Sequence, residues 1–185
     1  MKKVLIAYGT RYGITEEIAK EIAKELENND LISSLFNLNN KKQIDFPKID
    51  DYDGILAGTG IKVGQWKKEV KKFLKANITV LNNNSKKFGL FISCGTLINK
   101  DLIPRAREEF IELKIKKYNI NPNISDVFGS YFDLTKNSNH GLLVRKLIKT
   151  LSKRDYKVPL EDKIYEFRDW DRIRAFAKEF ANLLK

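Results

Sequence analysis

Lys3-Val4-Leu5-Ile6-Ala7-Tyr8 is followed at once by Gly9-Thr10-Arg11-Tyr12-Gly13-Ile14-Thr15, and then by a stretch of different period. The first segment is short, apolar and partly β-branched, which reads as a strand buried on both faces. Downstream, Ile14, Ile18, Ala19, Ile22, Ala23 and Leu26 recur at three- and four-residue steps and mark one apolar face of a helix. A turn carrying glycine and hydroxyls between a strand and a helix N-terminus suits an anion. Backbone N–H groups, the helix dipole and the Thr10 and Thr15 hydroxyls would converge on it. The plainer alternative is a capped turn with Thr10 or Thr15 as the N-cap.

No Gly-Lys-Ser/Thr follows, so the turn is not a P-loop, and it lacks the Gly-x-Gly-x-x-Gly of a dinucleotide site. Its Thr-x-x-Gly-x-Thr layout suits one terminal monophosphate. In this layout the chain resembles the flavodoxin family, whose loop after the first strand holds the phosphate of FMN. The resemblance implies that Thr10, Arg11, Tyr12, Gly13, Ile14 and Thr15 form the phosphate loop. The family usually carries a small polar residue where this chain has Arg11 or Tyr12. Arg11 either adds a charge-assisted contact or points into water.

The 185 residues suffice for one well-buried domain. No apolar run approaches a membrane span, and no signal peptide is read at Met1-Lys2-Lys3. A single cysteine, Cys94, fits a reducing cytoplasm, and a single His140 argues against a histidine metal site or a histidine-dependent triad. The net charge of +11 contrasts with the acidic, somewhat shorter electron-shuttling flavodoxins. A basic surface attracts anionic lipid, nucleic acid or acidic partners, although lysines also serve as solvated helix faces.

Strand and helix signals alternate along the chain. Leu31–Phe36, Asp53–Gly58, Lys87–Ser93 and Val127–Phe132 read as further strands. Helices are expected over Val63–Ala76, Leu102–Lys117, Gly141–Lys153 and Trp170–Leu184, with Pro104 near the start of the second. This pattern predicts an α/β fold, a flavodoxin-like doubly wound five-stranded parallel sheet of order 2-1-3-4-5. One domain is expected over residues 1–185, with an inserted basic amphipathic segment at about 134–160.

Ligands of such sheets sit outside the carboxyl ends of the strands, where the order reverses. After strand three the chain reads Gly58-Thr59-Gly60-Ile61-Lys62-Val63-Gly64, and after strand four Ser93-Cys94-Gly95-Thr96-Leu97. Glycines let the backbone lie against a planar ring, and small residues leave room for its edge. Three such loops at matching strand ends point to FMN, held by Thr59, Gly60, Ile61, Lys62, Val63 and Gly64 on one side. Ser93, Cys94, Gly95, Thr96 and Leu97 frame the other. Trp66, spaced with Val70 and Phe73, reads as core in preference to a ring stacked on flavin. Cys94 reads as a small apolar filler without redox chemistry.

The stretch Gly58–Phe73 and the end Phe167-Arg168-Asp169-Trp170-Asp171-Arg172 also resemble the branch of the family that includes the menaquinone-dependent protoporphyrinogen dehydrogenases. Asp169 suits an N-cap there and Trp170 an anchor against the sheet. Within the insertion, Leu143, Leu147, Ile148 and Leu151 are interspersed with Arg145, Lys146, Lys149, Lys153 and Arg154. Such a helix either covers the sheet beside the cleft or lies on an anionic membrane surface.

The expected function is therefore that of a cytoplasmic, FMN-binding, flavodoxin-like oxidoreductase or electron carrier, without a catalytic acid–base pair or a metal. Its partner would be a redox protein, or a quinone and a porphyrinogen, with peripheral contact to the inner face of an anionic membrane. An alternative from another class is a basic nucleic-acid-binding module of the same fold. The chain lacks an aromatic stacking platform among its cations, so no nucleic acid is expected.

Overall fold

In the computed structural model, which describes residues 1–138 and 141–185, five strands pair in parallel in the order β2-β1-β3-β4-β5. They are β1 (Lys3–Gly9), β2 (Ile32–Asn37), β3 (Gly54–Gly60), β4 (Lys87–Ser93) and β5 (Ile124–Phe128). Register places Gly9 beside Thr59 and Gly60 beside Ser93. The carboxyl ends of β1, β3 and β4 therefore finish side by side at the point where the strand order reverses. Alternate residues explain why the strands are apolar throughout. Val4, Ile6, Leu56 and Phe91 pack on one face of the sheet, and Leu5, Ala7, Ile55, Leu90 and Ile92 on the other.

Helices cover both faces. α1 (Ile14–Glu27) and the C-terminal α7 (Trp170–Leu183) bury Ile18, Ile22, Leu26, Ile173, Phe176 and Phe180 against the first face. α2 (Lys68–Ala76), α3 (Ile78–Asn82) and a helical run of α4 (Ile103–Arg107), a π-helical turn (Glu108–Glu112) and α5 (Leu113–Tyr118) cover the second. Each fully buried Leu, Ile or Phe contributes about 1.5–3 kcal/mol, so these two faces dominate the stability of the sheet. Trp66 belongs to this core: its indole N–H donates to the Phe110 carbonyl at 2.9 Å, inside the π-helical turn.

Two expectations are corrected. The helix read from Val63 starts only at Lys68, because Lys62 and Gln65 exchange backbone hydrogen bonds around a two-residue turn. Val63 (φ 49°) and Gly64 (φ 64°) are both left-handed there, so neither can be a residue within a right-handed helix. The strand read over Val127–Phe132 breaks after Phe128. A Cβ on Gly129 would lie 1.9 Å from the Phe167 carbonyl, so only glycine lets the two segments cross. Beyond the crossing the chain forms β6 (Tyr131–Asp133), antiparallel to β7 (Ile164–Glu166), with α6 (Leu142–Tyr156) between them. His140 lies outside the described residues.

Arginines fasten the ribbon and the last helix. Arg168, its side chain only 5% exposed, donates to both Glu17 of α1 and Glu166 of β7, and its guanidinium lies 4.5 Å from the Trp170 ring centre. Asp169 caps α7, accepting from the Arg172 N–H at 3.1 Å. Arg172 and Arg107 share the Asp126 carboxylate at the end of the sheet.

Candidate functional site

The turn between β1 and α1 is open to an anion. Gly13 precedes the helix in a left-handed conformation (φ 84°), with nothing within 4 Å of where a Cβ would stand, and no side chain caps the helix. The first intrahelical bond runs from the Glu17 N–H to the Gly13 carbonyl, leaving the N–H groups of the first turn directed outward. Neither Thr10 nor Thr15 caps the helix, although both are buried. Two acidic residues of that turn are neutralised. Glu16 pairs with Lys20 at 2.9 Å, and Glu17 with Arg168. Outward N–H groups beside screened carboxylates fit a terminal phosphate.

Neighbouring strand ends hold this turn in place. Asn39, just past β2, accepts from the Thr10 N–H (3.2 Å) and donates to the Thr10 carbonyl (2.7 Å). The Thr15 and Ser93 hydroxyls meet at 2.8 Å. Arg11 Nη1 donates to the Gly60 carbonyl at 2.8 Å, so the guanidinium reaches across to the β3 loop and not into water alone. Thr59 has a structural task. Its hydroxyl donates to the same Gly60 carbonyl and accepts from the Lys67 N–H.

A cavity of about 950 Å³ opens at this edge. The β1 turn contributes Tyr12 and Ile14, the β3 loop Ile61, Lys62, Val63 and Gly64, and the β4 loop Gly95 and Thr96. Its opposite wall is built by the ribbon, with Phe132 and Asp133, and by α6, with Val144, Ile148, Leu151 and Tyr156. Ser93 and Thr59 are buried behind the loops, and Leu97 turns into the core. Cys94 does likewise; burial pushes its thiol up to about 11, against the weaker effect of the Thr96 hydrogen bond. Burial also raises the Tyr156 phenol above its ordinary value.

Several of these residues escape sequence reading. Asn39 sits in a polar crossover without helical pattern, and its only signal is its place one loop from the switch point. The cavity-facing residues of α6 share a helix with Leu142, Leu143 and Leu147, which are exposed. Apolar periodicity alone does not separate the two sets.

A family model described as the flavodoxin domain matches residues 5–155. The chain belongs to the flavodoxin domain family. FMN is the cofactor of this family, whose members pass electrons to redox partners. Solved flavodoxins share the fold across the whole chain. A short-chain flavodoxin associated with a PDU bacterial microcompartment is 14% identical, covers 100% of both chains and gives a TM-score of 0.58. Flavodoxin 2 from Bacillus cereus is 20% identical over 98% of this chain and 99% of its own (TM-score 0.57). A flavodoxin from Streptococcus pneumonia TIGR4 is 19% identical over 98% and 99% (TM-score 0.55). No curated protein matches the sequence. Among the described residues of this flavodoxin-domain protein, no helix is long and apolar enough to cross a membrane.

Proposed function

We propose that the chain holds the FMN phosphate in the turn Thr10–Thr15 and the ring between Ile61–Gly64 and Gly95–Thr96, and exchanges electrons through the edge facing α6. The observation that carries this reading is the cavity at the switch point, bounded by all three strand-end loops. FMN supplies one- and two-electron chemistry when bound. The protein's part is to orient and shield. First-turn N–H groups take the phosphate, glycines admit the ring, and the ribbon and α6 keep water from one side. Titrating apo-protein with FMN should quench flavin fluorescence, and purified protein should release FMN on heating. A colourless protein that leaves FMN fluorescence unchanged would sink the reading.

The wall made by α6 favours a second, finer reading. A carrier that hands electrons directly to a protein needs no apolar chamber beyond the flavin edge, whereas a small-molecule oxidoreductase does. Val144, Ile148 and Leu151 line that chamber, where Lys62 and Arg105 offer two cations to a carboxylate alongside the acidic Glu17, Glu109, Asp133 and Asp155. A porphyrinogen donor with a quinone acceptor has this chemistry. The exposed Leu142, Leu143 and Leu147, beside exposed Lys146, suit the surface of an anionic bilayer on the cytoplasmic side. Anaerobic turnover of protoporphyrinogen with a menaquinone analogue tests the first point. Sedimentation with phosphatidylglycerol vesicles, lost in a triple Leu→Ser variant, tests the second.

A further inference from the structure

Arg11 stands out among the residues of the phosphate turn. It is half-buried, and among the described residues no carboxylate pairs with it and its one side-chain hydrogen bond is the Nη1 donation to the Gly60 carbonyl at 2.8 Å. A guanidinium carries five N–H donors in a planar fork, so most of this one stays available. The Gly60–Ile61 peptide it touches opens the β3 loop. That peptide is fastened at both ends, its carbonyl by Arg11 and Thr59 and its N–H by the Ser93 carbonyl at 3.0 Å. Arg11 thus spans from the anion cradle to the first peptide of the loop that borders the ring cleft.

We infer that Arg11 is a positioning residue that links the two halves of the cofactor site. One edge of its fork holds Gly60, while the other meets a dianion in the cradle, so phosphate binding stiffens the loop that receives the ring. The inference rests on the FMN reading above and adds a reciprocal coupling between phosphate and ring. A lysine has the charge but not the fork, and cannot serve both partners from fixed directions.

Riboflavin, which lacks the phosphate, separates the two halves. Its affinity for apo-protein is measured by fluorescence quenching with and without saturating inorganic phosphate, at ionic strength matched with chloride. Phosphate should tighten riboflavin binding by roughly five-fold or more in the native sequence. It should leave it within about two-fold in Arg11→Gln and Arg11→Lys, whose folding is checked by thermal unfolding. Coupling that persists in both variants, or is missing from the native protein while FMN still binds, overturns the inference and leaves the FMN reading standing. Failure of FMN itself to bind overturns both. Loss of FMN affinity in Arg11→Gln but full coupling in Arg11→Lys also overturns it, since charge alone would then suffice.

Discussion

The Thr15 hydroxyl lies 2.8 Å from the Ser93 hydroxyl, both buried, joining the first turn of α1 to the last residue of β4 across 78 positions of sequence. Gly60 is pressed against the pair: a Cβ there would stand 3.1 Å from Thr15 Oγ1 and 3.5 Å from Ser93 Oγ. The three loops of the switch point therefore meet at one polar contact, and a change in any one is felt by the others.

Ser93→Ala removes one partner and leaves the Thr15 hydroxyl buried without this bond. A loss of about 1–2 kcal/mol is expected, read as a lower urea midpoint at unchanged slope. FMN affinity should fall with it, because the cradle threonine is then free to rotate. An unchanged midpoint would show that the two hydroxyls do not support each other.

Val63 is a β-branched residue held at φ 49° and is 89% exposed, so nothing in the core repays its strain. Val63→Asn places a residue suited to a two-residue turn before Gly64 and should stabilise the protein by about 1 kcal/mol. Differential scanning calorimetry checks this. A lowered melting temperature would mean that the valine makes a contact this geometry does not contain.

Burial disfavours the Glu166 carboxylate, but its hydrogen bonds to Arg168 outweigh this and hold the group below its usual range near 4.5. A carboxyl depressed in the folded state stabilises the fold above its unfolded value and loses that contribution as pH falls through the folded one. Acid should accordingly loosen the β6–β7 ribbon at and below about pH 4.5. Glu166→Gln should flatten the acid limb of the stability curve. Stability measured by urea titration at successive pH values decides this, and an acid limb identical in both proteins would refute it.

Cys94 is buried with its thiol raised to about 11, so native protein at pH 8 presents about a thousandth of it as thiolate. Iodoacetamide should label it only after denaturation, with native labelling at least a hundred-fold slower than in urea. Rapid modification of the native protein would place the sulfur at the surface.

The parallel sheet and its order could be read from the sequence because each strand is a short apolar run bounded by turn residues. The switch point fixes which loops meet, so the sequence alone groups Tyr12, Ile61 and Thr96 at one edge. The start of α2 could not be read. Trp66 keeps a helical interval from Val70 and Phe73, yet it lies ahead of the helix and is buried with its indole N–H donating to the Phe110 carbonyl. The ribbon was equally hidden, since three-residue strands are too short to show alternation. Arg11 and Gly60 are 49 positions apart, and no periodicity relates a guanidinium to a distant carbonyl.

Asp133 and Ile164 are register partners at the mouth of the ribbon, so the chain departs from the fold and returns to it at adjoining points. Such an excursion can lengthen, shorten or change its character over evolutionary time without disturbing β5 or α7. A scaffold built in this way can acquire new reaction partners by grafting at a single doorway, while its ancestral electron-handling centre is inherited intact.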